Sequence, residues 1–195
     1  MASYSAVRIC NSALTMLGAS HISALTEANE QASACNAMYE PCIDELLGRH
    51  DWVFAKGYSE LSRLSDLHET EAYQFQLPSD CLRPLRLYGY SAGSQPLWFV
   101  EGDYLICSET SVTLVYTKKI EDPSMFSDGF AQAAASLLAA RIAPAILGSP
   151  SYLKEYMETA ELDYRRALQV DGMIGNDYPP ETYDPGYDPQ ITNRG

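Results

Sequence analysis

The hydrophobic period of this 195-residue chain changes twice, and those changes constrain its fold more tightly than any single motif. At the start, apolar residues recur every three or four positions, as on one face of a helix. Residues 5–17 carry Val7, Cys10, Leu14 and Leu17 on such a face, stopped by Gly18. Thr26 suits an N-cap with Glu27 in the first turn. Ala28, Ala32, Cys35, Tyr39, Cys42 and Leu46 then form one stripe, closed by Gly48. Pro41 lies inside that stripe and predicts a kink or a split. Leu61, Leu64 and Leu67 suggest a shorter helix.

The period then falls to two. Tyr73, Phe75 and Leu77 alternate with polar residues and stop at Pro78, as a strand does. Residues 85–88, 97–100, 104–107 and 112–116 read as further strands, with a turn at Glu101-Gly102-Asp103. After Asp122-Pro123 the helical period returns through Phe130, Ala134, Leu137, Leu138, Arg141 and Ile142, on a helix rich in small residues. Ser149-Pro150 restarts a last helix through Leu153, Tyr156, Met157, Ala160, Tyr164 and Leu168. The expected fold is α+β: a discontinuous helical bundle domain (1–70 and 119–170) with an inserted small antiparallel β-sheet or barrel (71–118).

Residues 171–195 hold four prolines, four glycines and no amphipathic period, which argues against a packed helix or strand. The segment is either a disordered end or an extended C-terminal arm that orders on a partner. Tyr183-Asp184-Pro185 and Tyr187-Asp188-Pro189, preceded by Tyr178, favour the arm. Proline stiffens an extended chain, and tyrosine anchors a partner's groove at low entropic cost. Tyr178, Tyr183, Tyr187 and Ile191 are its expected partner-binding residues.

Charge narrows the partners. The chain has 13 Lys plus Arg against 26 Asp plus Glu, a formal charge of −13. Duplex DNA is gripped by cations that displace its counterions, so a chain this acidic is poorly suited to hold it. It could still surround DNA without adhering. No run approaches the ~20 apolar residues of a bilayer span, and no membrane partner is expected. The start Met1-Ala2-Ser3-Tyr4-Ser5 lacks the basic and apolar regions of a signal peptide. Five cysteines without a close pair favour reduced, buried thiols over a disulfide framework.

Each chemical motif has a plain structural reading. Gly89-Tyr90-Ser91-Ala92-Gly93 matches the nucleophile-elbow pattern, but a strand follows it, and His21, His50 and His68 all precede Ser91. His50-Asp51 invites a catalytic dyad, yet sequence neighbours rarely meet in working geometry. His50 fits better as a cation near a helix C-terminus. Trp52 and Phe54 would then cover that helix end, making Leu46, Leu47, Trp52 and Phe54 a structural clasp. Cys35 and Cys42 share a helix face about 10 Å apart, too far for one metal ion or a disulfide. Asp44-Glu45, Glu121-Asp122 and Glu69/Glu71 lack metal-ligand spacing. No phosphate loop or dinucleotide fingerprint is present. The expectation is a non-enzyme without catalytic, cofactor or metal residues.

An ordered series of short motifs adds a resemblance. Asn11-x-Ala13-Leu14 with Leu17-Gly18 precedes Ala32-x-x-Cys35-x-x-x-Tyr39, Asp44-Glu45-Leu46-Leu47 and His50-x-Trp52-x-Phe54-Ala55. Tyr73-x-Phe75-x-Leu77-Pro78-x-Asp80-Cys81-Leu82, Val112-x-Leu114-x-Tyr116-Thr117, and Phe126 leading to Ala139-Ala140 follow. Across roughly residues 5 to 170, the series resembles the tail tubular protein A family of short-tailed phages, which are head-to-tail adaptors. The resemblance implies a dodecameric virion ring at the head–tail junction, assembled in the host cytoplasm and joining the portal protein to the tail nozzle protein. DNA would pass through its channel without specific binding. Assembly on a template would leave the isolated chain monomeric. Rival readings are a head-completion or connector protein of another tailed phage, and a tail-associated cell-wall hydrolase.

Overall fold

The helix with the most apolar sequence organises the others. Ser127 accepts a hydrogen bond from the Phe130 N–H, Asp128 sits in the first turn, and Gly148 closes the helix at φ 65°. By length and composition this helix, Asp128–Leu147, could cross a bilayer, but two-thirds of its apolar stretch is buried within the protein. Alanines at 131, 133, 134, 135, 139, 140 and 143 are buried around its circumference. Small side chains let neighbouring backbones approach, and a Cβ added at Gly129 would lie 3.2 Å from the Ala167 Cα.

The computed structural model describes residues 4–68, 72–90 and 94–175. Among them are helices α1 (Ala6–Met16), α2 (Glu30–Arg49), α3 (Asp128–Leu147) and α4 (Leu153–Gly175). Seven described strands separate α2 from α3: β1 (Lys56–Glu60), β2 (Arg63–Leu67), β3 (Tyr73–Gln76), β4 (Cys81–Leu87), β5 (Trp98–Glu101), β6 (Tyr104–Cys107) and β7 (Thr113–Lys118). They form two antiparallel sheets, ordered β1-β7-β4 and β2-β3-β6-β5. The α+β class is therefore as expected.

Two apolar clusters follow from this arrangement. One gathers Ile9 and Leu14 of α1, Leu46 and Leu47 of α2, Trp52, much of α3, and Ala160 and Ala167 of α4. The other lies between the sheets, where Phe75, Leu105 and Cys107 meet Leu87, Leu114 and Tyr116. In the β1–β7 pairing Gly57 stands opposite Tyr116, whose ring occupies the space a side chain would need. The two parts are joined by charge. Lys119 reaches Glu40 at 2.7 Å and Asp44 at 3.2 Å, and Arg83 pairs with Asp51.

Several sequence expectations need correction. Residues 63–67 are strand: Leu61 is buried between the sheets while Leu64 is exposed, so they share no helical face. The β part thus begins at Lys56, within the region expected to be helical. Of the kink or split expected at Pro41, the split does not occur: α2 runs unbroken from Glu30 to Arg49. The α2 N-cap is Asn29, whose side chain accepts from Ala32 N–H; Glu27 instead accepts from the Ser23 and Ala24 N–H groups. Gly48 is helical, and α2 ends where His50 turns extended. The largest difference concerns residues 171–175, expected to start the arm, which are the last turn of α4. Tyr178, Tyr183, Tyr187 and Ile191 lie outside the described residues, as do Ser91, Glu69 and Glu71.

Candidate functional site

Every helix leaves its last carbonyls without intrahelical partners, and α2 satisfies two of them with distant side chains. The Trp52 Nε1–H donates to the Leu46 carbonyl at 2.8 Å, and the Tyr164 hydroxyl donates to the Arg49 carbonyl at 3.4 Å. Trp52 is fully buried, with its ring edge-on to Phe130 at 5.0 Å and to His50 at 5.1 Å. Half-buried Phe54 meets Phe126 and Phe130 at 6.0 and 5.1 Å. Leu46, Leu47 and Trp52 belong to one buried apolar cluster, against which Phe54 packs.

A fifth member was not visible in the sequence. Asp171 of α4 is buried and accepts the Val53 N–H on both carboxylate oxygens, at 3.3 and 3.2 Å. Its Oδ2 also lies 3.2 Å from His50 Nε2. His50 thus pairs with a carboxylate 121 positions away, while its neighbour Asp51 pairs with Arg83. The signal available was the continuing period: Ala160, Tyr164, Ala167 and Asp171 follow at spacings of four, three and four. Gly172 and the prolines beyond obscured it.

A buried carboxylate beside a histidine is also the supporting half of a hydrolytic triad. Here the carboxylate is committed to a backbone N–H, and the imidazole packs against the Trp52 ring. Among the described residues no hydroxyl or thiol bonds to His50. The geometry anchors chain segments. The other histidines are similarly engaged: His21 lies 2.7 Å from Thr15 Oγ1, and His68 lies 2.9 Å from Glu101 and edge-on to Phe99.

The thiols and acidic pairs show the same structural use. Cys10 of α1 meets Cys35 of α2, and that neighbour together with burial pushes the Cys10 thiol far up. Burial pushes Cys42 and Cys81 each up to about 11, so both stay protonated and poor at ligating metal. Among the described residues no three His, Cys, Asp or Glu side chains are grouped to hold an ion. Asp44 pairs with Lys119, Glu45 with Arg49 and Arg141, and Asp122 accepts from Ser124 N–H. A shallow cleft of about 590 Å³ between the β3–β4 connection and the β5–β6 turn is lined by Gln76, Pro78, Cys81, Val100 and Asp103, without paired carboxylates or histidine.

No protein-family model matches the chain, and the curated proteins contain no significant match to it.

Proposed function

We propose that the chain is a structural head-to-tail adaptor of a short-tailed phage, a ring-forming subunit that joins the portal to the tail nozzle and lines the DNA exit channel. The observation that carries this reading is where the family-like motifs fall. Asn11 donates to the Ile22 carbonyl and accepts the Ile22 N–H, both at 2.8 Å, fixing the segment after α1. Ala13, Leu14, Ala32, Cys35, Leu46, Leu47, Trp52, Phe75, Leu114, Ala139 and Ala140 are buried, and Asp80 accepts from the Tyr116 hydroxyl. The motifs are thus framework residues distributed over both parts of the fold, as expected when a resemblance reflects shared architecture.

On this reading the four helices form a bundle, the β module is an insert contacting a different neighbour, and the C-terminal arm carries Tyr178, Tyr183, Tyr187 and Ile191 to the portal or to an adjacent subunit. The copies assemble as a dodecamer on the portal in the host cytoplasm and remain at the head–tail junction of the virion. An acidic lumen repels DNA phosphates, so the genome slides without specific binding. Electron microscopy of the chain mixed with portal rings of its own phage tests this. Twelve copies on each portal are expected. Bare portals, or turnover of peptidoglycan by the purified chain, would remove the proposal.

A further inference from the structure

The two described sheets present four edge strands, and three of them carry features that oppose a neighbour. β1 holds Lys56 and Glu60, β2 holds Arg63 beside a register shift, and β4 holds Arg83, Pro84 and Arg86 on an irregular register. Charge, proline and bulges along an edge all hinder pairing with another chain. β5 has none of these along its apolar run. It reads Trp98-Phe99-Val100-Glu101 after Leu97, with Pro96 outside it, and its one charge stands at the turn, 2.9 Å from His68. Leu97 is 94% exposed, Phe99 46% and Val100 39%.

The ladder pattern shows which backbone groups this edge offers. The Leu77 N–H donates to the Asp103 carbonyl at 2.9 Å, which sets the alternation of the β3–β6 pairing. Leu105 and Cys107 therefore bond toward β3, and Tyr104 and Ile106 toward β5. Their β5 partners are Glu101 and Phe99, so Trp98 and Val100 aim their N–H and C=O groups out of the sheet. Gln95 holds the strand in place: its Oε1 accepts from the Leu87 N–H at 3.2 Å and from the Trp98 Nε1–H at 3.4 Å.

We propose that β5 pairs antiparallel with β5 of a second copy across a two-fold axis at Phe99, joining their two four-stranded sheets into one. A second copy is selected because the strand is its own complement in this register. An axis at Phe99 sets Trp98 opposite the partner's Val100, and Val100 opposite the partner's Trp98. The outward groups of both strands then meet as two bonded pairs. Phe99 meets the partner's Phe99 at the closer, non-bonded position between them. Apolar side chains thus face apolar side chains at every central position, and Glu101 falls opposite the partner's Leu97. A two-fold contact closes at two copies, whereas neighbours in a cyclic ring are related by rotation. The pair therefore belongs to free copies and opens before a copy takes a place in a ring. It replaces the monomer expected for the isolated chain, and the inference stands independently of the adaptor reading.

Analytical ultracentrifugation of the full chain over a range of concentrations tests this. A monomer–dimer equilibrium is expected. Val100→Pro removes an outward N–H from each copy and no bond to β6, so dimerisation should weaken about tenfold or more. Phe99→Lys and Phe99→Glu each set like charges opposite one another and should also stay monomeric, while an equal mixture of the two should dimerise. That restoration keeps the test valid should the proline variant misfold. A wild-type chain that stays monomeric at millimolar concentration leaves the edge to a different protein's strand and would overturn the proposal. Assembly past two copies, indifference to the Phe99 changes, a folded Val100→Pro variant that dimerises like wild type, or a mixture no better than its components would overturn it too.

Discussion

At the scale of single residues, Trp52 combines two separable contributions: ring burial and a donor for an orphan carbonyl. Trp52→Ala should lower the unfolding free energy by about 3–5 kcal/mol, as large-to-small core substitutions do. Trp52→Phe keeps much of the apolar surface but leaves the buried Leu46 carbonyl unpaired, a loss of about 1–3 kcal/mol. Urea titration distinguishes the two; equal losses would show that the indole N–H contributes nothing. Gly57 is tested differently. A Cβ there would lie 2.6 Å from the Tyr116 Cζ, so Gly57→Ala should cost about 1–3 kcal/mol. Combining it with Tyr116→Leu should cost less than the sum of the two single changes, because the obstructing ring is gone.

At the scale of elements, the turn before α2 depends on a single carboxylate. Backbone N–H groups of Ser23 and Ala24, with Asn29, hold Glu27 below its ordinary value of 4.5. A carboxyl group with a lowered folded-state pKa contributes fully above its unfolded value and loses that contribution as pH falls through the folded value. The melting-temperature gap between wild type and Glu27→Gln should therefore be largest near neutrality and close as the pH drops below 4.5; a gap that widens in acid would contradict this. The α3–α4 crossing offers a steric counterpart. Ala167→Leu should destabilise by about 1–3 kcal/mol, read by denaturant unfolding, because Gly129 leaves no room there. The helices and five of the strands were legible because burial on one face imposes a period. Leu61, Leu64 and Leu67 misled because three leucines at helical spacing also fit a connection entering a strand. Trp52 and Phe54 stood out in the sequence because both follow a helix end directly, and their rings lie 6.0 Å apart. Asp171 did not stand out, because its partners lie 118 and 121 positions away and no local pattern encodes that distance.

For the whole molecule, the position of Asp171 decides where the chain can be shortened. Removing 171–195 strips the carboxylate from Val53 and His50, and should lower the melting temperature by several degrees more than removing 176–195, which keeps Asp171. Differential scanning calorimetry of the two truncations checks this, and equal melting temperatures would show the clasp to be inert. The pairing of β1 with β7 reaches further. Lys56 and Thr117 are partners across adjacent strands, so the path that leaves α2 returns beside its own point of departure before α3 begins. To the helical body, the intervening stretch is a closed loop, and loop-closure entropy rises only slowly with length. That stretch can lengthen, shrink or be exchanged for another cassette at small thermodynamic cost, provided that its two ends still emerge one strand spacing apart. The rung between Lys56 and Thr117 is thus a socket, able to hold the helices in register whatever is plugged into it.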